Sequence, residues 1–179
     1  AQPHFFFNSL NTLRDIIDQN SKEDATLFVN KLSNVYRYIL EASDTNFVRF
    51  EKELKFSKSY MHIQKERFGD NLSVEWNIED DSLNRMVAPL TLQLLLENAI
   101  KHNVISKSKP LHIYVVANEK ELLVKNKIQA KSSKMFSTKL GLKNIQKRYA
   151  LISNKSIKIE NNGNTFMVTL PLWNGSEHN

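Results

Sequence analysis

A histidine near the start of the chain is the first residue whose side chain can do chemistry. On a helix, His4 shares a face with Asn8, Asn11 and Asp15, because residues three and four apart lie on one side. We therefore expect the imidazole to be exposed beside small polar groups. A histidine with the ordinary pKa of roughly 6.5 is partly neutral at physiological pH, and the neutral ring can act as a nucleophile. A plain surface histidine would give the same pattern.

A second group of polar residues interrupts a very apolar stretch between residues 89 and 102. Gln93, Glu97, Asn98, Lys101 and His102 cluster on one stripe of the predicted helix, and burying such groups without partners is costly. A ligand with a metal ion and phosphates would satisfy them, since an asparagine oxygen suits Mg²⁺ and the basic residues can meet phosphate oxygens. The alternative is a helix whose polar edge faces water.

Basic residues are concentrated between residues 120 and 148. Against only Glu119 and Glu121, the segment carries Lys120, Lys125, Lys127, Lys131, Lys134, Lys139, Lys143, Lys147 and Arg148. A basic loop leading into a helix that begins at Leu140-Gly141 is suited to hold phosphate groups. A solvated lysine-rich loop is the alternative.

Two helices at the start of the chain would position His4. Apolar residues recur at spacings of three and four from Pro3 to about Asn20, and again after Ser21. The two stripes are Phe6, Leu10, Leu13 and Ile17, followed by Phe28, Leu32, Val35 and Ile39. Such a pair with a short join predicts an antiparallel hairpin, each helix burying its stripe against the other and against a second copy of the chain.

An alternating strand and helix region follows the hairpin. We predict a short strand at 47–50, a helix at 51–68 that Gly69 ends, a loop at 128–139, and a β-hairpin turn at Asn162-Gly163. Further strands are predicted at 72–78, 111–117, 122–124, 155–160 and 166–170, and further helices at 89–102 and 141–152. The fold class is therefore α+β, with domains at 1–45 and 46–179 and a boundary between 45 and 72.

Composition excludes several classes of protein. The 179 residues include no cysteine, which excludes disulfides, thiolate metal sites and a cysteine nucleophile. Lysine and arginine outnumber acidic residues by 25 to 19, but no recognition-helix or aromatic-interleaved basic pattern points to nucleic acid. No stretch reaches the roughly 18 apolar residues that a membrane helix needs.

Three blocks, in order, resemble one protein family. Residues 2–11 (QPHFFFNSLN) resemble the phosphoacceptor signature of the LytS-like subfamily of sensor histidine kinases, with Phe6 where leucine is usual. Residues 96–103 (LENAIKHN) are similar to its ATP box, and residues 141–149 (GLKNIQKRY) to its glycine-bearing lid box. Residues 36–38 and 64–68 are also similar, so the resemblance covers nearly the whole chain.

The resemblance implies a dimeric phosphoacceptor hairpin followed by an ATP-binding α/β sandwich of the GHKL (Bergerat) type, a mixed sheet with helices on one face. It implies that His4 takes the γ-phosphoryl group of ATP and passes it to an aspartate on the receiver domain of a response regulator. The chain would then be the cytoplasmic part of a bacterial inner-membrane sensor, anchored only through an upstream segment. No nucleic acid partner is expected.

The resemblance also assigns roles around the nucleotide, with ATP and Mg²⁺ as cofactors. Asn98 would hold Mg²⁺, while Lys101 and His102 would line the phosphates. Gly141 and Leu142, in the lid box, would contact the nucleotide.

Two departures from the family pattern leave the activity open. Asn126 stands where the adenine-reading aspartate belongs, with both following glycines missing, and Lys139 replaces one of two lid glycines. An asparagine can still accept a hydrogen bond from the adenine amino group, but more weakly than a carboxylate. One hypothesis is an active kinase with a relaxed adenine pocket; the other is a nucleotide-poor module acting as a dimerisation scaffold or phosphatase.

Overall fold

A helical hairpin precedes a mixed β-sheet, as the periodicity predicts. The computed structural model describes residues 2–19, 21–42, 44–131, 138–152 and 155–175, with the backbone alone for residues 2–4, 138–140 and 152. The elements are α1 (Gln2–Asp18), α2 (Lys22–Ala42), β1 (Val48–Arg49), α3 (Phe50–Phe68), β2 (Leu72–Ile78), β3 (Met86–Val87), α4 (Thr91–His102), β4 (Leu111–Ala117), β5 (Glu121–Lys127), α5 (Thr138–Ile152), β6 (Lys158–Asn161) and β7 (Thr165–Pro171).

The face of α1 that packs within the chain lies one residue away from the predicted stripe. Phe5, Ser9 and Ile16 are buried, and the ring of Phe5 lies 5.1 Å from that of Tyr60 on α3, centroid to centroid. Three residues of the expected stripe instead stay exposed in the single chain, at 43% for Phe6, 41% for Leu10 and 56% for Ile17, while the fourth, Leu13, is partly buried. On α2 the expected residues Phe28, Leu32 and Val35 are buried.

Five strands form the main sheet, in the order β2-β4-β5-β7-β6. β2 and β4 are parallel, and the other neighbours are antiparallel. Every second residue of β4 is buried from Leu111 to Ala117, as are Leu122, Val124 and Asn126 on β5. Helix α4 packs on this buried face. The predicted α+β class, with helices on one face of a mixed sheet, is confirmed.

A small second sheet was absent from the sequence prediction. β1 pairs antiparallel with β3, and Met86 of β3 bridges to Trp173 near the end of the described chain. Two-residue strands show no periodicity, which is why the pattern did not reveal β3. At the end of α3, Gly69 adopts φ 58° as the chain turns into β2, a backbone conformation that favours glycine.

A buried carboxyl group joins the hairpin to the rest of the chain. The side chain of Glu53, on α3, accepts a hydrogen bond from the Tyr38 hydroxyl of α2, and its carboxyl group lies near the backbone N–H groups of Leu90 and Leu92 at the start of α4. Burial raises the pKa of Glu53 to about 7, against the opposing effect of these neighbouring groups and of Arg148. Glu53 therefore links α3 to α2 and to the start of α4.

Other element boundaries differ modestly from the predictions. Helix α5 begins at Thr138, three residues before the predicted Gly141, and β5 runs on to Lys127. The rest of the predicted loop, at residues 132–137, lies outside the described residues. Domain limits of 1–45 and 46–179 stay a prediction. Over the described ranges, no helix combines the length and apolar character that crossing a membrane requires.

Candidate functional site

A cavity of about 240 Å³ lies between α4, α5 and the sheet. Four of the predicted site residues line it: Asn98, His102, Asn126 and Leu142. Helix α4 positions Asn98 and His102 one turn apart, while β5 supplies Asn126 and α5 supplies Leu142. The structure thus brings together residues that the sequence holds 44 positions apart, from 98 to 142.

The floor of the cavity is a row of residues across three strands. Asn126 on β5 pairs with Phe166 on β7, which pairs in turn with Asn161 on β6. Sequence reasoning did not identify Phe166 and Asn161, because the pairing of β5 with β7 was unknown. The turn signal at Asn162-Gly163 predicts that β6 and β7 are neighbours, but a two-residue turn at those positions would have placed Asn161 opposite Asn164 and not opposite Phe166.

Asn126 points from the buried face of the sheet into the cavity. It is 3% exposed and continues the buried alternation of Leu122 and Val124. Its Nδ2 donates a hydrogen bond of 2.9 Å to the backbone oxygen of Lys127. Because the nitrogen of the amide is engaged in this way, its oxygen, an acceptor, is the atom that a ligand would meet.

Two polar side-chain atoms in the wall of the cavity are buried without a partner. Within the described residues, Nδ2 of Asn98 and Nε2 of His102 have no hydrogen-bond partner. Burial, with further effects of Lys101 and Lys131, lowers the pKa of His102 below its ordinary value, so the ring is neutral at pH 7. Unpaired buried polar atoms are costly, and a polar ligand in the cavity would supply the missing partners.

The chain that follows β5 is fastened to the end of α4. Asn103 accepts a hydrogen bond of 2.8 Å from the backbone N–H of Gln129 and donates one of 2.8 Å to the oxygen of Ala99. The backbone N–H of Lys131 donates to the oxygen of His102 at 3.3 Å. The beginning of the predicted basic loop is therefore held beside the cavity, while Lys134 lies outside the described residues.

Gly141 lies in the first turn of α5, next to Asn98. A Cβ atom added there would lie 3.8 Å from Nδ2 of Asn98 and 3.9 Å from Leu94, which is ordinary contact. The described neighbours would therefore accept an alanine at this position. The side chain of Lys139, which occupies the other expected glycine position, lies outside the described residues.

Lys101 faces a different cavity from Asn98 and His102. This second cavity, of about 500 Å³, lies between α1, α3 and α4 and also contains Glu97, which accepts a 2.9 Å hydrogen bond from Gln93. Asn103 lines both cavities, so they adjoin at the end of α4. A role for Lys101 in nucleotide binding stays a prediction.

His4 lies in the first turn of α1, but its side chain lies outside the described residues. Its neighbours along the helix, Phe5 and Asn8, line the second cavity. The predicted nucleophile therefore belongs to the helix that borders the cavity containing Lys101. Its chemical role stays a prediction.

Comparison with known sequences gives consistent matches. The sequence model of the family described as "Histidine kinase" matches residues 1–72. The chain is 32% identical to the sensor protein LytS of Staphylococcus haemolyticus over 118 residues, which are 66% of this chain and 20% of that protein. It is 35% identical over 102 residues to the sensor histidine kinase/phosphatase LytS of Staphylococcus aureus, covering 57% and 17%. The chain thus spans about a fifth of these relatives.

Solved structures share the fold. The cytoplasmic segment of histidine kinase QseC superposes with a TM-score of 0.52 at 18% identity, covering 84% of this chain and 93% of that one. The catalytic domain of histidine kinase ThkA gives a TM-score of 0.52 at 17% identity, covering 71% and 98%. The expected combination of hairpin and mixed-sheet domain is therefore a known architecture.

Proposed function

We propose that this chain, which belongs with the LytS-like sensor histidine kinases, is an ATP-dependent histidine kinase module of a two-component system. In this proposal it phosphorylates His4 and passes the phosphoryl group to an aspartate on the receiver domain of a response regulator. The observation that carries it is the cavity in which Asn98, His102 and Asn126 converge, with two buried polar atoms that lack a partner.

The cavity fits part of a nucleotide. Its volume of about 240 Å³ is below the roughly 300–1,000 Å³ of sites that enclose a whole small molecule. In this proposal the adenine ring lies beside Asn126 and Phe166, which both line the cavity, and the phosphates extend past the end of α4. There the neutral ring of His102 can donate or accept a hydrogen bond.

The residues around Asn98 fit a magnesium ion bound with the phosphates. The two ends of an asparagine amide exchange by rotation of the side chain, so the buried group that lacks a partner can present its oxygen to a cation. When bound, Mg²⁺ would neutralise charge on the phosphates. The chain's part is to hold the nucleotide at Asn126, orient its phosphates at Asn98 and His102, and supply the nucleophile from α1.

The partners follow from the same proposal. Phe6, Leu10 and Ile17 form an exposed apolar stripe on α1, which a second copy of the hairpin would cover. The receiver domain of a response regulator would dock where it can reach His4. We infer that the module acts in the bacterial cytoplasm, where ATP is available, as part of an inner-membrane sensor.

A second candidate is a module that binds nucleotide poorly and serves as a dimerisation scaffold or phosphatase. Asn126 favours it, because a neutral amide replaces the carboxylate that reads adenine in the family. The similar protein of Staphylococcus aureus is named a kinase/phosphatase, so a phosphatase role is a proposal for this chain too.

The test is nucleotide binding followed by phosphate transfer. We expect Mg-ATP to bind the chain saturably by calorimetry, and Asn98→Ala to weaken that binding by more than about tenfold, since contact through a bound cation contributes several kcal/mol. Incubation with γ-labelled ATP should then leave acid-labile phosphate on the wild-type chain and none on His4→Gln.

Asn77→Ala is the matched control, because Asn77 is an exposed asparagine on β2, away from the cavity. It should bind ATP as the wild type does. Absence of saturable binding at millimolar ATP would contradict the kinase and favour the second candidate. Binding without labelling of His4 would leave the nucleotide site standing and refute the transfer step.

A further inference from the structure

The cavity between α1, α3 and α4 is lined by polar groups that the nucleotide site does not use. Tyr60 and Gln64 of α3 are 1% and 9% exposed, and Nε2 of Gln64 donates to the Tyr60 hydroxyl at 3.0 Å. From α4, Gln93 is 4% exposed and holds Glu97 through a 2.9 Å hydrogen bond. These buried contacts fix the walls of the cavity around an open centre.

The first turn of α1 is anchored to the same wall. Phe5, the residue after His4, is 8% exposed and packs on the ring of Tyr60, and its ring centroid also lies 6.0 Å from that of Tyr36. Asn8, one turn after His4, lines the cavity. Aromatic packing therefore holds α1, the helix that carries the proposed nucleophile, at the edge of this cavity.

Three cationic residues surround the centre of the cavity: Arg67, Lys101 and Lys131. None of them forms an ion pair with a residue that the structure describes. Arg67 comes from the last turn of α3, and its guanidinium lies 4.8 Å from the ring of Phe68. A planar guanidinium held on an aromatic ring is well suited to bind phosphate oxygens in pairs.

We propose that Arg67 is a catalytic residue, which binds the phosphoryl group in this cavity as it moves from the nucleotide towards His4. This inference rests on the proposed function. Because Asn103 lines both cavities, phosphates that leave the smaller one at the end of α4 enter the larger one beside Lys101. Arg67 comes from α3 and lines the larger cavity but not the smaller one.

The chemical step conserves atoms and charge. One ring nitrogen of His4 forms a bond to the γ-phosphorus while the bond from that phosphorus to the bridging oxygen breaks. The electron pair of the broken bond leaves with ADP, and the proton on the other ring nitrogen passes to water. Arg67 exchanges no proton, since its guanidinium stays protonated, and it only neutralises charge on the transferred oxygens.

The test separates nucleotide binding from transfer. Arg67→Ala should bind Mg-ATP with wild-type affinity, because Arg67 does not line the smaller cavity, but phosphorylate His4 about a hundredfold more slowly. Added guanidinium ion should restore part of the lost rate, which it would not do for a merely structural defect. Arg67→Lys should retain an intermediate rate, because it keeps the charge but not the planar fork.

Lys65→Ala is the matched control, since Lys65 is an exposed cation on the same helix. It should phosphorylate at the wild-type rate. If Arg67→Ala phosphorylates as fast as Lys65→Ala, the inference is overturned while the proposed function stands. A slow Arg67→Ala that guanidinium does not rescue and that unfolds at lower temperature would also overturn it. If the wild-type chain binds ATP but takes no phosphate, both fall together.

Discussion

Asn126 combines two roles in a single amide group. Its nitrogen supports the backbone oxygen of Lys127, and its oxygen is left for a ligand in the cavity. A carboxylate has no N–H group, so an aspartate at this position could not donate a hydrogen bond to the backbone oxygen of Lys127. The asparagine therefore makes a contact that the aspartate of the kinases resembling this chain could not make. A fixed acceptor selects a base that carries an amino group over one that carries a carbonyl group at the same position.

We therefore expect the chain to prefer ATP over inosine triphosphate, in which a carbonyl oxygen replaces the adenine amino group. Two acceptors would face each other at Asn126, and the inosine nucleotide should bind about tenfold more weakly. Asn126→Ala should bind both nucleotides with similar affinity. Calorimetric titration of the wild-type and variant chains with each nucleotide measures this preference.

Asn161→Ala provides the comparison, because Asn161 lines the same cavity at the far end of the strand row. The preference for ATP should survive in this variant. Equal affinity of the wild type for the two nucleotides would show that Asn126 does not read the base.

Several residues that line the candidate site could be predicted from the sequence, but the residues that lie next to them in space could not. The pattern correctly selected Asn98 and His102 as polar groups on an apolar helix, four residues apart and therefore on one side. Lys101, although adjacent in sequence, is turned by about 100° from His102 and faces another cavity. Phe166 enters the site through strand pairing, which a single sequence does not encode locally.

At the scale of elements, long periodic segments were predictable and short ones were not. The five α-helices within the described residues were all expected from the sequence, whereas β3 has two residues and no period. The buried stripe of α1 was misplaced because Phe5 and Phe6 are both apolar and adjacent. The ring of Tyr60, supplied by α3, distinguishes Phe5 as the residue that packs inward, since the ring of Tyr36 lies 6.0 Å from both Phe5 and Phe6.

The contact of Glu53 with α2 and α4 predicts a dependence of stability on pH. Its pKa is about 7 when folded and 4.5 in the reference state, so the folded chain holds this proton more tightly. The contribution to the free energy of unfolding is present below about pH 4.5 and is lost as pH rises to about 7. Between about pH 5 and pH 7.5 this loss should be about 2 kcal/mol.

Urea unfolding of the wild type and Glu53→Gln at the two pH values measures the effect. The variant should lack this part of the pH dependence, because its amide does not ionise. The pKa values of His62 and His102 are lowered in the folded chain, which also makes stability depend on pH, but these contributions cancel when the two chains are compared. Glu75→Gln, at an exposed site on β2, should behave as the wild type. Parallel behaviour of wild type and Glu53→Gln would contradict the raised pKa.

At the scale of the whole molecule, the hairpin has one face inside the chain and one face outside. The outer face presents Phe6, Leu10 and Ile17, and the exposed Val29 of α2 lines one groove together with Ile17. Apolar side chains gathered on one exposed surface commonly mark an interface between proteins. A second hairpin of the same kind would bury them in a four-helix bundle.

We expect Leu10→Glu to separate the proposed dimer into single chains, because the carboxylate would be buried against an apolar partner. Light scattering should report a mass near that of one 20.8 kDa chain instead of two. Leu151→Glu makes the same change on α5 at a position that is 87% exposed, and it should remain dimeric. A wild-type chain with the mass of a monomer would contradict the dimer.

The parallel pairing of β2 with β4 sets an order of events during synthesis. β4 and β5 are joined by a turn of three residues, and β6 and β7 by a similar turn, so each hairpin can close as soon as it is made. β2 is different, because Ser73 pairs with His112, 39 residues later. At about 5–20 residues synthesised per second on the ribosome, the backbone N–H and C=O groups of β2 stay unpaired for some seconds before β4 has been made. Helix α4 is completed during that wait, so the helix that carries Asn98 precedes the sheet on which it will rest.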